Sequence, residues 1–83
     1  MKFKTIVLGI LDSNNAKDVK IKTFKTTENV ELSFKASKEN VRKIENDFKK
    51  NHVRTSSMLF SPTFKNPGII ACSGLVYPDQ DKN

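Results

Sequence analysis

The hydrophobic pattern of this chain switches from the period of strands to that of a helix at Ser37. Before it, residues 18–25 (DVKIKTFK) and 30–35 (VELSFK) alternate apolar and polar side chains, the two-residue repeat of strands. After it, Val41, Ile44 and Phe48 recur at i, i+3 and i+7, the repeat of a helix docked along one side. A chain holding both periods folds as α+β, with sheet and helix sharing one core.

The two alternating runs predict an antiparallel hairpin with one wet face. In the first, Val19, Ile21 and Thr23 fall on one side and Lys20, Lys22 and Phe24 on the other. In the second, Val30, Leu32 and Phe34 point inward, and Glu31, Ser33 and Lys35 outward. The helix is predicted over 38–51. Ser37 is its N-cap, Glu39 lies in its first turn, and Lys49, Lys50 and His52 stand where cations complement the dipole.

Residues 2–11 (KFKTIVLGIL) read as a further strand, apolar on both faces, with Gly9 marking a bulge or bend. Residues 12–17 are turn formers. Residues 53–60 read as a fourth strand, 61–67 (SPTFKNP) as a loop, and 68–77 (GIIACSGLVY) as a fifth strand ended by Pro78. Length and pattern together give one small domain over 1–78 and a polar tail over 79–83.

The order β-β-β-α-β-β resembles, in topology, the OB-fold, over about the first 77 residues. The expectation is therefore a mostly β molecule with one helix, either a five-stranded small barrel or a strongly curved antiparallel sheet. The resemblance implies that Gly9 bends the first strand into both halves of the barrel, and that 12–17 and 61–67 flank a ligand groove.

Chemistry-bearing residues are sparse. One cysteine, Cys72, and one histidine, His52, fall short of the ligand set of a structural zinc site. Ser56, Ser57, Ser61 and Ser73 have no G-x-S-x-G elbow, and the three glycines are isolated, so nucleophile and phosphate-loop motifs are absent. The reading is a non-enzyme without metal or cofactor. Cys72 sits in an apolar run as a small buried hydrophobe. A single cysteine leaves no intrachain disulfide, which points to the cytoplasm. Lys2 and Lys4 precede the apolar TIVLGIL, but no small-x-small cleavage site follows. No apolar run approaches the ~20 residues of a membrane span.

Charge is the strongest functional cue. The net charge is +6, with six lysines between Lys2 and Lys25 against Asp12 and Asp18, and no acid between Asn51 and Pro78. Such a surplus suits an anionic partner. Lys20, Lys22 and Phe24 on one strand face have the composition of a platform on which a base stacks while lysine holds phosphate. Arg54, Phe60, Phe64 and Lys65 extend it. Against this, Phe24 turns inward if a bulge shifts the strand. The expected function is single-stranded DNA or RNA binding with little sequence specificity, since lysine greatly outnumbers the arginine favoured for base readout. The alternative is a non-catalytic protein-interaction module, a small inhibitor or accessory subunit.

Overall fold

A computed structural model describes residues 2–79. The elements run α1 (Phe3–Ser13), β1 (Lys17–Thr23), β2 (Val30–Ser37), α2 (Lys38–Lys50), β3 (Val53–Pro62) and β4 (Ile69–Pro78). The four strands form one antiparallel sheet in the order β1-β2-β4-β3, with both helices on one face. The sheet is open: β1 and β3 are its two edges, and no barrel closes.

This corrects the five-stranded, one-helix expectation and the barrel at its first element. Residues 3–13 are helix. Phe3, Ile6, Val7, Ile10 and Leu11 are spaced i, i+3, i+4, i+7, i+8, and they form one stripe against the core. Leu8 and Gly9 face outward, and space beyond Gly9 is open, so that glycine bends nothing. Helix formation here rests on packing rather than on local signals. Lys2 offers no side-chain cap, no acid stands in the first turn and no base in the last.

The remaining elements lie close to their predicted spans. On β2, Val30, Leu32, Phe34 and Ala36 are buried and their neighbours are not, a clean two-residue alternation. From β4, Ile70, Cys72 and Val76 join them, and Val53 adds the start of β3. The Ser37 hydroxyl accepts the Asn40 amide at 3.2 Å and starts α2, whose Val41, Ile44 and Phe48 close the core from above. The helices are tied by Asn14, which is buried just past α1. Its Nδ2 donates to the Ile10 carbonyl at 2.9 Å and to Asp47 Oδ2 on α2 at 3.0 Å.

Two irregularities interrupt the ladders. In β1, Asp18 and Val19 stand together opposite Phe34, between the pairs Lys17–Lys35 and Lys20–Ser33. In β3, Ser57 and Met58 stand together opposite Gly74, between Ser56–Leu75 and Leu59–Ser73. The first residue of each bulge is left-handed, with φ 52° at Asp18 and 56° at Ser57. The β1 bulge displaces Val19 from the inward register, leaving it exposed, while Ile21 stays partly buried against the core.

Past β4, the Asp79 amide donates to the His52 carbonyl at 2.8 Å, and its carboxylate lies 3.7 Å from Arg54. The first residue of the predicted tail is therefore fastened to the turn between α2 and β3. The other tail residues lie outside the described residues.

Candidate functional site

With both helices on one face, the other face of the sheet is uncovered. It receives alternate side chains from all four strands: Lys20 and Lys22 from β1, Glu31, Ser33 and Lys35 from β2, Ala71, Ser73 and Leu75 from β4, and Arg54 and Leu59 from β3. Two adjoining depressions of about 550 and 480 Å³ occupy this face, and both are lined by Lys20, Ser33, Leu59 and Ser73. Lys20 and Leu59 belong to opposite edges, three strand spacings or roughly 14 Å apart in a flat sheet. The depressions therefore span the sheet from edge to edge as a trough, with β1 and β3 at its margins. The middle of its floor, Ser33, Ala71 and Ser73, is small and uncharged, with Glu31, Lys35 and Leu75 to either side.

The charge in the trough is concentrated on the β1 side. Lys17 stands directly opposite Lys35 across the β1–β2 ladder. Like charges in that position destabilise a sheet. The adjacent bulge supplies Asp18, whose carboxylate lies 3.3 Å from Lys35 Nζ, with both side chains about half exposed. An ion pair that wet contributes little. Lys22 has Glu31 as its cross-strand neighbour, and Arg54 stands beside Tyr77 with Asp79 within reach. Five cations thus face outward, against Glu31, Asp18 and Asp79.

The residues singled out from the sequence divide into two groups. Lys20, Lys22 and Arg54 lie on the uncovered face. Phe24 follows the end of β1, is 41% exposed and lines neither depression. The Lys20–Lys22–Phe24 platform is therefore not assembled on one strand face, because the strand ends at Thr23. Phe60 pairs with Cys72 and so belongs to the helix side, where it lines a groove of about 240 Å³ with Val41, Ile70, Lys38, Arg42 and Glu45. Phe64 and Lys65 sit on the β3–β4 turn, Phe64 fully exposed. Lys17, Lys35 and Tyr77 were not singled out. Alternation placed Lys35 outward already, and continuing it from Val76 places Tyr77 outward too; Lys17 was hidden in a segment read as a turn.

No three His, Cys, Asp or Glu side chains among the described residues converge as metal ligands. Cys72 is buried; desolvation, with Glu45 adding to it, pushes its thiol up from 9.0 to about 11, away from the reactive thiolate. No helix among the described residues is long and apolar enough to cross a membrane. Comparison with protein families, with curated proteins and with solved structures finds no match for this chain.

Proposed function

We propose that this chain is a non-catalytic nucleic-acid-binding protein that lays a single strand of DNA or RNA along the uncovered trough. The observation that carries the reading is the Lys17–Lys35 pair, with Lys20 and Lys22 on the same wall. A sheet gains nothing in stability from two lysines placed face to face, whereas a polyanion lying between them neutralises both. The small floor leaves room for a chain to pass. A mixed helix surface, with Glu39 and Glu45 among Lys38, Arg42 and Lys49, argues against α2 as a reader of duplex grooves.

Phosphate contacts from lysine carry most of the affinity in this reading, and base contacts are few and unspecific. Tyr77, Leu59 and Leu75 are large uncharged side chains offered to bases along the uncovered face.

Titrating a labelled single-stranded oligonucleotide at increasing salt tests it. The expected result is a steep fall of affinity with salt. Lys17→Ala, Lys20→Ala, Lys22→Ala and Lys35→Ala should each lower the slope of log K against log salt by about 0.7. These residues are exposed, so the variants keep the fold. Absence of binding at low salt would sink the reading. The protein-interaction module then takes its place, supported by Leu59, which stands 66% exposed on the opposite wall.

A further inference from the structure

The turn joining β3 to β4 is closely braced, yet it presents its aromatic residue entirely to solvent. The Thr63 amide donates to the Ile69 carbonyl at 2.8 Å, and the Ile69 amide to the Asn66 carbonyl at 2.8 Å. The Thr63 hydroxyl donates to the same Asn66 carbonyl at 2.6 Å, and the Asn66 side chain accepts the Gly68 amide at 3.1 Å. The Lys38 amide donates to the Gly68 carbonyl at 3.1 Å, which fixes the turn against the start of α2. Within this frame Phe64 is 100% exposed. Left so, its ring gains nothing from burial.

The place of this turn in the sheet gives it a role. Lys35 pairs with Ala71, and Ala71 with Ser61, so one row across the sheet runs from Lys17 through Lys35 to Ser61. Phe64 is three residues beyond that row, at most about 10 Å along the chain. The turn therefore lies beyond the same end of the sheet as Lys17 and Lys35, at the β3 edge. Lys65 follows Phe64, Lys38 stands beside the turn, and the whole stretch from Asn51 to Pro78 carries no acid. A rigid exposed ring flanked by cations suits an unstacked base on a phosphate chain better than it suits another copy of this cationic protein.

We infer that the β3–β4 turn is the end clamp of the trough: a strand leaving past Lys17 and Lys35 stacks a base on Phe64 while Lys65 holds the adjoining phosphate. This rests on the nucleic-acid reading above, and it names a stacking residue outside the sheet face.

The chain has no tryptophan and one tyrosine, so Phe64→Trp places a single indole at the clamp. Full exposure of the site means the substitution leaves the core untouched. The probe is oligothymidylate of about 16 nucleotides, the upper end of site sizes for small single-strand-binding folds. At low salt the indole should be quenched on binding. An abasic oligomer of equal length should bind through the lysines and leave it bright. Phe64→Leu should weaken oligothymidylate binding by about 5- to 150-fold, the equivalent of 1–3 kcal/mol of stacking, with the salt slope unchanged. Lys65→Ala should lower that slope by about 0.7.

No salt-dependent binding by the wild type would overturn the nucleic-acid reading and this inference with it. Normal binding with a bright indole and an unaffected Phe64→Leu variant would overturn the clamp alone. Equal quenching by the abasic oligomer would overturn stacking. Quenching by phosphatidylserine vesicles but not by oligothymidylate would assign the turn to a lipid surface instead.

Discussion

Met58 lies against Gly74 where β3 bulges, so closely that a Cβ on Gly74 would come within 2.8 Å of the Met58 Cα and would overlap its sulfur. The sulfur sits on a flexible side chain and can move; the Cα cannot without shifting the strand. Gly74→Ala is accordingly expected to destabilise the fold by about 1–3 kcal/mol. In urea unfolding the midpoint should fall with little change in slope. A double-mutant cycle with Met58→Ala should show coupling, with only part of the loss recovered, because the backbone contact remains. An unchanged midpoint for Gly74→Ala would show that the two strands are not so close.

The same substitution at Gly9 should act in the opposite direction. Gly9 lies inside α1 with nothing within 4 Å of the position a Cβ would take. Gly9→Ala should stabilise the protein by about 0.5–1 kcal/mol, through a smaller loss of backbone freedom on folding. Destabilisation would mean that residues 3–13 are not helical or that this side of the helix is covered.

Asn14 joins α1 to α2 through one amide group with two acceptors. Asn14→Ala removes the link to Asp47 and leaves the Ile10 carbonyl without that donor, and should cost about 1–3 kcal/mol. Asn14→Asp should cost more, since a second carboxylate would then face Asp47. If Asn14→Ala unfolds at the wild-type urea concentration, the helices do not depend on this bridge.

Cys72 makes stability depend on alkaline pH. Its thiol holds a proton up to about pH 11 in the folded chain, against an ordinary 9.0, because burial disfavours the thiolate. Between those values the folded state binds more proton than the unfolded state. The contribution is therefore complete below pH 9 and is lost as pH rises toward 11. Other groups titrate there too, so the measurement is a difference: the stability gap between wild type and Cys72→Ala should narrow across that window. A constant gap would refute the assignment.

Asp79 fastens the end of β4 to the turn before β3. A protein ending at Pro78 loses the Asp79 amide bond to His52 and should be less stable than one ending at Asp79 by about 0.5–1.5 kcal/mol. Asp79→Ala keeps that amide and removes the carboxylate beside Arg54, so it separates the side chain from the backbone bond. Equal denaturation midpoints for the two shortened chains would leave the amide bond without weight.

The parts of the fold legible in the sequence are those whose local chemistry agrees with their packing. β2 alternates without exception, and α2 carries a capping serine, an acidic first turn and a basic last one. The helix at Phe3–Ser13 carries the opposite cues: lysines at its start, Asp12 near its end, adjacent β-branched Thr5, Ile6 and Val7, and a glycine. Its spacing was helical, but an unbroken apolar run fits a buried strand equally well. The bulge at Asp18 has no glycine to announce it, so the register of β1 was readable only after Lys20. Lysine on the uncovered face followed from alternation; the rings did not, because Phe24 and Phe64 lie beyond strand ends and Phe60 follows the second bulge.

The paired bulges also decide how this sheet meets other polypeptides. Each edge strand is broken into short pieces: Lys20–Thr23 on β1, and residues 53–56 and 59–62 on β3, the last ending in a proline that has no amide to offer. A foreign strand aligned along either edge would find four consecutive residues before the hydrogen-bonding register jumps. Strand addition, whether from a partner or from aggregating copies of the same chain, is thereby discouraged at both margins. What remains open to a visitor is the broad surface between them.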